Sequence, residues 1–212
     1  MNRLALAVVA TLTLFSCRNV DGGPDVSETR ALDAFTRVRI EDGIPAKLSP
    51  GKPQVVLNTQ EKVAANLQTK VVSGTLVVSM KPNVIVDSFD FTEVLITTEG
   101  LVSAEASGGS TVTVAGIDAS PFRASASGGS QIELSGTTTD ARLNASGGSG
   151  VNAEKLLAEV ASIEATGGST LQVNVSKSVE GIASGGSRVT ISGTGDSTNV
   201  SASGGSLVSG SN

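Results

Sequence analysis

The chain has no histidine, no tryptophan and no tyrosine. Without histidine it lacks the commonest general base, the commonest metal ligand and every Ser-His or Cys-His nucleophilic pair. Five phenylalanines are its whole aromatic complement, 2% of 212 residues, so an ordinary core packed around large rings is excluded. A single cysteine, Cys17, rules out an internal disulfide and a cysteine-rich zinc site. Basic residues are the minority, 15 against 20 acidic, which gives a net charge of −5 and a pI near 4.8. That balance argues against nucleic acid and anionic membrane surfaces as partners. Long hydrophobic runs are missing too. The most apolar stretch is residues 4–15, twelve residues broken by Thr11 and Thr13, too short to span a bilayer.

What the chain does have is one phrase repeated six times. Ser107-Gly108-Gly109-Ser110 returns with its second glycine at 129, 148, 168, 186 and 205, at intervals of 20, 19, 20, 18 and 19 residues. Each phrase follows an alanine: Ala106, Ala126, Ala145, Ala165, Ala183 and Ala202. Three residues after the second glycine comes an aliphatic: Val112, Ile132, Val151, Leu171, Val189 and Val208. Two further on are Val114, Leu134, Ala153, Val173 and Ile191, until Gly210 ends the column. Apolar alternation with period two marks strands with one buried face, and β-branched residues suit them. One such coil cannot bury its own apolar face, so coils must stack, which predicts an all-β solenoid of about 19-residue coils. The glycines supply positive φ at a corner. Parity leaves two placements for Ser110, Ser130, Ser149, Ser169, Ser187 and Ser206. They point inward as a hydrogen-bonded ladder, or they face water as a polar stripe able to meet a glycan. The second placement makes these six serines the candidate binding residues.

Upstream the pattern is less regular. Arg3 followed by the apolar run has the shape of an export signal over residues 1–16. Leu14-Phe15-Ser16-Cys17 resembles a bacterial lipobox, which makes Cys17 the expected lipidation site and membrane anchor. Residues 17–33 are polar, carry Gly22-Gly23-Pro24 and show no periodicity, which predicts a flexible tether. Residues 34–100 hold short alternating runs, among them Phe35-Thr36-Arg37-Val38-Arg39-Ile40 and Leu76-Val77-Val78 after a Ser73-Gly74-Thr75 turn. They read as irregular β coils or a cap ahead of the repeat region, residues 101–212.

An exported start, a strand region opening Phe35-Thr36-Arg37-Val38, a Gly74-Thr75-Leu76-Val77-Val78 segment and tandem Ala-Ser-Gly-Gly-Ser coils together resemble the bacterial head GIN domain family of autotransporter adhesins. The resemblance covers roughly residues 34–205 and implies a right-handed single-stranded β-helix. No alternating barrel strands follow the last phrase, so delivery as an outer-membrane lipoprotein is expected, on the periplasmic or the surface face.

The residues that could carry chemistry are few. The five basic residues of the repeats, Arg123, Arg142, Lys155, Lys177 and Arg188, share no single register relative to the glycine pairs. Asp87, Asp90 and Glu93 form the densest acidic group, read as a solvated loop. Serine follows each glycine pair where a calcium-binding β-roll needs its Asp, and no phrase has the Lys of a phosphate-binding loop. The expectation is therefore a non-catalytic envelope module, adhesin-like or scaffolding, with no cofactor, no metal and no catalytic residues. Its expected partners are a membrane through the lipid anchor and a glycan or envelope protein. Self-association into a homo-oligomer through the last coil is the remaining partner expectation. The alternative is a β-helix enzyme acting on envelope polysaccharide.

Overall fold

The computed structural model of the chain describes residues 18–19, 22–195 and 197–210. The signal segment and Cys17 lie outside the described residues. The apolar alternation becomes a β-solenoid whose coils run roughly 20 residues. Each coil turns through three sides. Face A is the strand before each glycine pair, face B the strand after it, and face C the short segment that brings the chain back.

The sequence columns are physical stacks. On face A, Ala106 pairs in parallel with Ala126, and the column continues through Ala145, Ala165, Ala183 and Ala202. On face B, Val112, Ile132, Val151, Leu171, Val189 and Val208 form one column in the same way. Face C is thinner: Ile117-Asp118 pairs with Gly136-Thr137, and that pair with Leu156-Leu157. Strands about 4.8 Å apart place each inward side chain on the one below. The result is a narrow aliphatic core in which, among the described residues, only Phe35 and Phe122 are large buried rings. Alanine stands beside each of the six glycine-pair corners; Ala126, Ala145, Ala165 and Ala183 are fully buried.

The N-terminal part builds a first coil and then a cap. Arg37–Ile40 lies on face A under Ser103–Ala106, and Pro45–Pro50 lies on face B under Thr111–Asp118. The chain then leaves the stack and returns outside this first coil. Thr75–Met80 pairs in parallel with Arg37–Ile40, and Leu67–Val72 closes that sheet antiparallel. Glu93–Thr98 pairs in parallel with Pro45–Pro50, followed by antiparallel Gln54–Gln60 and Asp25–Arg30. Antiparallel strands end the parallel ladder on both faces. The Ser73-Gly74 turn has φ of 49° and 74°, the doubly left-handed geometry of a tight hairpin.

One expectation needs correction. Residues 17–33 were expected to be a flexible tether, yet Asp25–Arg30 is a strand and Arg18–Asn19 pairs with Val84–Ile85. The tether reading rested on missing periodicity. An edge strand with no deeply buried face shows none, and backbone bonds to Gln54–Gln60 hold it instead. Arg30 fastens it further, donating from its guanidinium to the carbonyls of Leu67 (2.8 Å) and Ala64 (3.1 Å).

Candidate functional site

The corners decide what the solenoid shows to solvent. In each Ser-Gly-Gly-Ser phrase both glycines are left-handed, with φ of 66° and 83° at Gly108 and Gly109 and similar values in every later pair. The first glycine of each pair lies over the backbone of the preceding corner. A Cβ at Gly167 would sit 3.3 Å from the Gly147 nitrogen, and one at Gly185 3.1 Å from the Gly167 nitrogen. The second glycine looks outward, and a methyl placed at Gly109, Gly129 or Gly148 would have nothing within 4 Å. Backbone bonds tie the corners together. The Gly148 N–H donates to the Gly167 carbonyl at 3.0 Å, and the Gly168 N–H to the Gly185 carbonyl at 2.9 Å.

The closing serines take the inward placement. Ser110, Ser130, Ser149, Ser169 and Ser187 are at most 1% exposed, and only Ser206 in the last described coil is half-buried. The Ser149 hydroxyl donates to the Ser146 carbonyl at 2.7 Å and accepts from the Gly129 N–H at 3.1 Å. Ser110, Ser169 and Ser187 donate in the same way to Ser107, Thr166 and Ser184. A buried hydroxyl must find partners, and the turn carbonyl below it is one. The outward stripe of six serines is therefore corrected: five of them are spent on the corner and cannot reach a ligand.

A polar feature lies on the outside of face A. An open trough of about 420 Å³ is lined by Glu105, Arg123, Ser125, Arg142, Asn144 and Glu164, among others. It runs on into a second depression of about 510 Å³ that shares Arg142 and Ser162 and reaches Glu180 and Asn199. Two side-chain columns build it. One passes from Arg37 through Ser103 and Arg123 to Arg142. The other passes from Arg39 through Glu105 and Ser125 to Asn144 and Glu164. Arg39 donates to Glu105 at 2.7 Å, and this bond holds its guanidinium above the ordinary arginine value. Asn144 donates to Glu164 at 3.1 Å. Arg123 and Arg142 stand in register on adjacent strands. Like charges directly opposite repel. Asp140 answers Arg142 at 3.2 Å, while Arg123 has no ion-pair partner among the described residues.

The five basic residues of the repeats share no single register because Lys155, Lys177 and Arg188 each fall at a different distance from the glycine pair that follows. Only Arg123 and Arg142 share one, each standing six residues before a second glycine, at 129 and 148, and the strand ladder sets these two side by side. A seventh corner was also missed. Glu41-Asp42-Gly43-Ile44 occupies the place of Ser107 to Ser110 in the first coil, with φ of 63° at Asp42 and 79° at Gly43. Aspartate tolerates the left-handed region, and here its carboxylate accepts the Met80 N–H at 2.9 Å. The signal was Asp-Gly set between Val38, Ile40 and Ala46, Leu48 at the spacing of the later coils.

Elsewhere little chemistry gathers. No group of three or more acidic, histidine or cysteine side chains that could hold a metal exists among the described residues. Glu93, expected with Asp87 and Asp90, is tied to Lys47 at 2.6 Å. No helix among the described residues is long and apolar enough to cross a membrane.

Comparison with known proteins places this architecture. A family model described as "Putative auto-transporter adhesin, head GIN domain" matches residues 34–195. No curated protein matches the chain. Among solved structures, a "putative adhesin" from Bacteroides fragilis superposes with a TM-score of 0.75 at 14% identity, covering 92% of this chain and 100% of that one. A "putative lipid binding protein" from Parabacteroides distasonis gives 0.55 at 14% identity, covering 92% of this chain and 99% of that one. A "putative adhesin" from the same species gives 0.55 at 14% identity, with 92% and 100% covered. At such identities the likeness is one of fold.

Proposed function

Since the chain belongs to the auto-transporter adhesin head GIN domain family, we propose that it is a non-catalytic binding module of the cell envelope, held at the outer membrane by lipid on Cys17. Face A is its contact surface, and the ligand is a polar polymer carrying carboxylates, an acidic glycan in the first instance. The observation that carries this reading is the Arg123–Arg142 pair in the trough, two like charges on neighbouring rungs with a single aspartate between them to answer. Such a pair gains nothing for the fold and suits an anionic ligand spaced along the rod. The competing enzyme reading finds less support here. The trough carboxylates Glu105 and Glu164 are engaged by Arg39 and Asn144 rather than standing ready as an acid–base pair.

The test compares the wild type with the R123S/R142S double variant for binding to immobilised polyuronate. Both sites are exposed, so the fold, followed by far-UV circular dichroism, stays intact. Loss of about tenfold or more in affinity is expected, the scale of one or two charge-assisted contacts. Unchanged binding would move the contact off face A. Absence of binding by the wild type, together with capture of an envelope protein, would turn the reading to scaffolding. Protease shaving of intact cells, with Cys17→Ala alongside, decides between surface and periplasmic display and tests the anchor.

A further inference from the structure

The pairing of Arg18–Asn19 bears on where a lipid on Cys17 would emerge. Arg18 pairs in parallel with Val84 and Asn19 with Ile85. Cys17 follows one peptide bond before Arg18, about 3.8 Å away at the Cα. Six residues after Asn19 the chain is fastened again, as Asp25–Arg30 pairs with Gln54–Gln60. An anchor on a free tether of roughly sixteen residues could hold the body tens of ångströms from the bilayer. Here Arg18–Asn19 is paired beside residues 81–92, and Cys17 is the residue bonded to Arg18.

That loop has an unusual surface. It crosses between Thr75–Met80 on face A and Glu93–Thr98 on face B, over the first corner; Phe89 lies 3.5 Å from where a Cβ of Gly43 would be. Val84, Val86 and Phe89 are turned toward the core. Ile85 and Phe91 are turned away and are 46% and 71% exposed. Phe91 is the most exposed large hydrophobic residue described, in a chain with five phenylalanines. An aromatic and a branched aliphatic held outward next to a lipid attachment point match the polar–apolar boundary of a bilayer.

We propose that the loop 81–92 is a membrane foot: Ile85 and Phe91 enter the interface of the same bilayer that takes the Cys17 acyl chains, and seat the capped end of the solenoid on it. This rests on the lipidated-Cys17 reading above. Asp87 and Asp90 lie between the two apolar residues in the chain, so the surface the loop suits is zwitterionic rather than anionic. The foot leaves the repeat coils, with the face A trough, pointing away from the membrane.

The chain has no tryptophan or tyrosine, so one introduced tryptophan is the only indole signal. Full-length protein, purified from membranes, is placed in phosphatidylcholine vesicles that contain brominated lipid. Phe91→Trp and Ile85→Trp are compared with Leu157→Trp, an exposed apolar site on face C of a later coil. Mass spectrometry of the N-terminal peptide first establishes acylation. With acylation present, bromolipid is expected to quench Phe91→Trp about twofold or more while Leu157→Trp is unchanged, and Ile85→Trp follows Phe91→Trp. An acylated protein in which both loop tryptophans behave like Leu157→Trp overturns the foot and leaves the anchor standing. A non-acylated N-terminus overturns both, and the spectrum shows which happened. Two loop positions guard against one variant disturbing the fold, which circular dichroism monitors.

Discussion

Gly108 and Gly109 stand side by side, share left-handed φ and should still differ in what a side chain costs. At both, an L-residue other than asparagine or aspartate pays roughly 1–2 kcal/mol to sit in the left-handed region. At Gly109 that is the whole penalty, because nothing lies within 4 Å of a Cβ. At Gly108 a Cβ would meet the Asp42 nitrogen at 3.1 Å and its Cα at 3.4 Å. Asp42 is not at liberty to retreat, since its carboxylate accepts the Met80 N–H at 2.9 Å and its corner sits in the cap. Overpacking against a fixed backbone adds roughly 1–3 kcal/mol. Gly109→Ala should therefore lose about 1–2 kcal/mol and Gly108→Ala about 2–5 kcal/mol. Asparagine separates the two causes. It relieves most of the dihedral penalty but not the clash, so Gly109→Asn should fall below about 1 kcal/mol while Gly108→Asn keeps the overpacking cost. Urea unfolding followed by far-UV circular dichroism is the assay, as the chain has no tryptophan to report. Each kcal/mol also lowers Tm by about 2–4 °C in a chain of this size. Equal losses for Gly108→Ala and Gly109→Ala would refute the close-approach argument. Equal losses for Gly109→Ala and Gly109→Asn would refute the dihedral one.

Two further outcomes follow from the same ladder. Ser149→Ala removes a donor to Ser146 and an acceptor for Gly129, so about 1–3 kcal/mol should be lost in urea unfolding, and Ser206→Ala, half-buried at the last described coil, should cost less. Ala145→Leu pushes extra carbons into a fully buried corner and should cost about 1–3 kcal/mol or more, whereas Ala202→Leu, exposed in its coil, should stay within about 0.5 kcal/mol by the same measurement.

The first coil shows where reading by letters stops. Ile40, Ile44, Ala46 and Leu48 repeat the spacing of Ala106, Ser110, Val112 and Val114, and the strands pair accordingly. Asp42 in place of a first glycine hid the corner, since the repeat announces itself through the glycine pair. The strand Asp25–Arg30 was hidden for a different reason. Its register comes from backbone bonds at a sheet edge and from Arg30 reaching two carbonyls, and neither leaves an apolar pattern.

The solenoid, the coil length, the inward columns of alanine and aliphatics, and the glycine corners were all legible in the letters. Each is a local rule applied at a near-constant interval, so a short window of residues carries it. The remaining features came from the folded stack. The serine at each corner had two placements of equal parity. It turned inward because a carbonyl three residues back and an N–H one coil away were there to receive it. Arg123 and Arg142 already shared a register in the letters, each six residues before a second glycine, but only the stack decided that Asp140 turns to Arg142. The N-terminal segment lies beside residues 84–85 through backbone hydrogen bonds that any residue types could make. Pairing between distant backbones depends on which edges the finished stack leaves open, and no stretch of sequence records that.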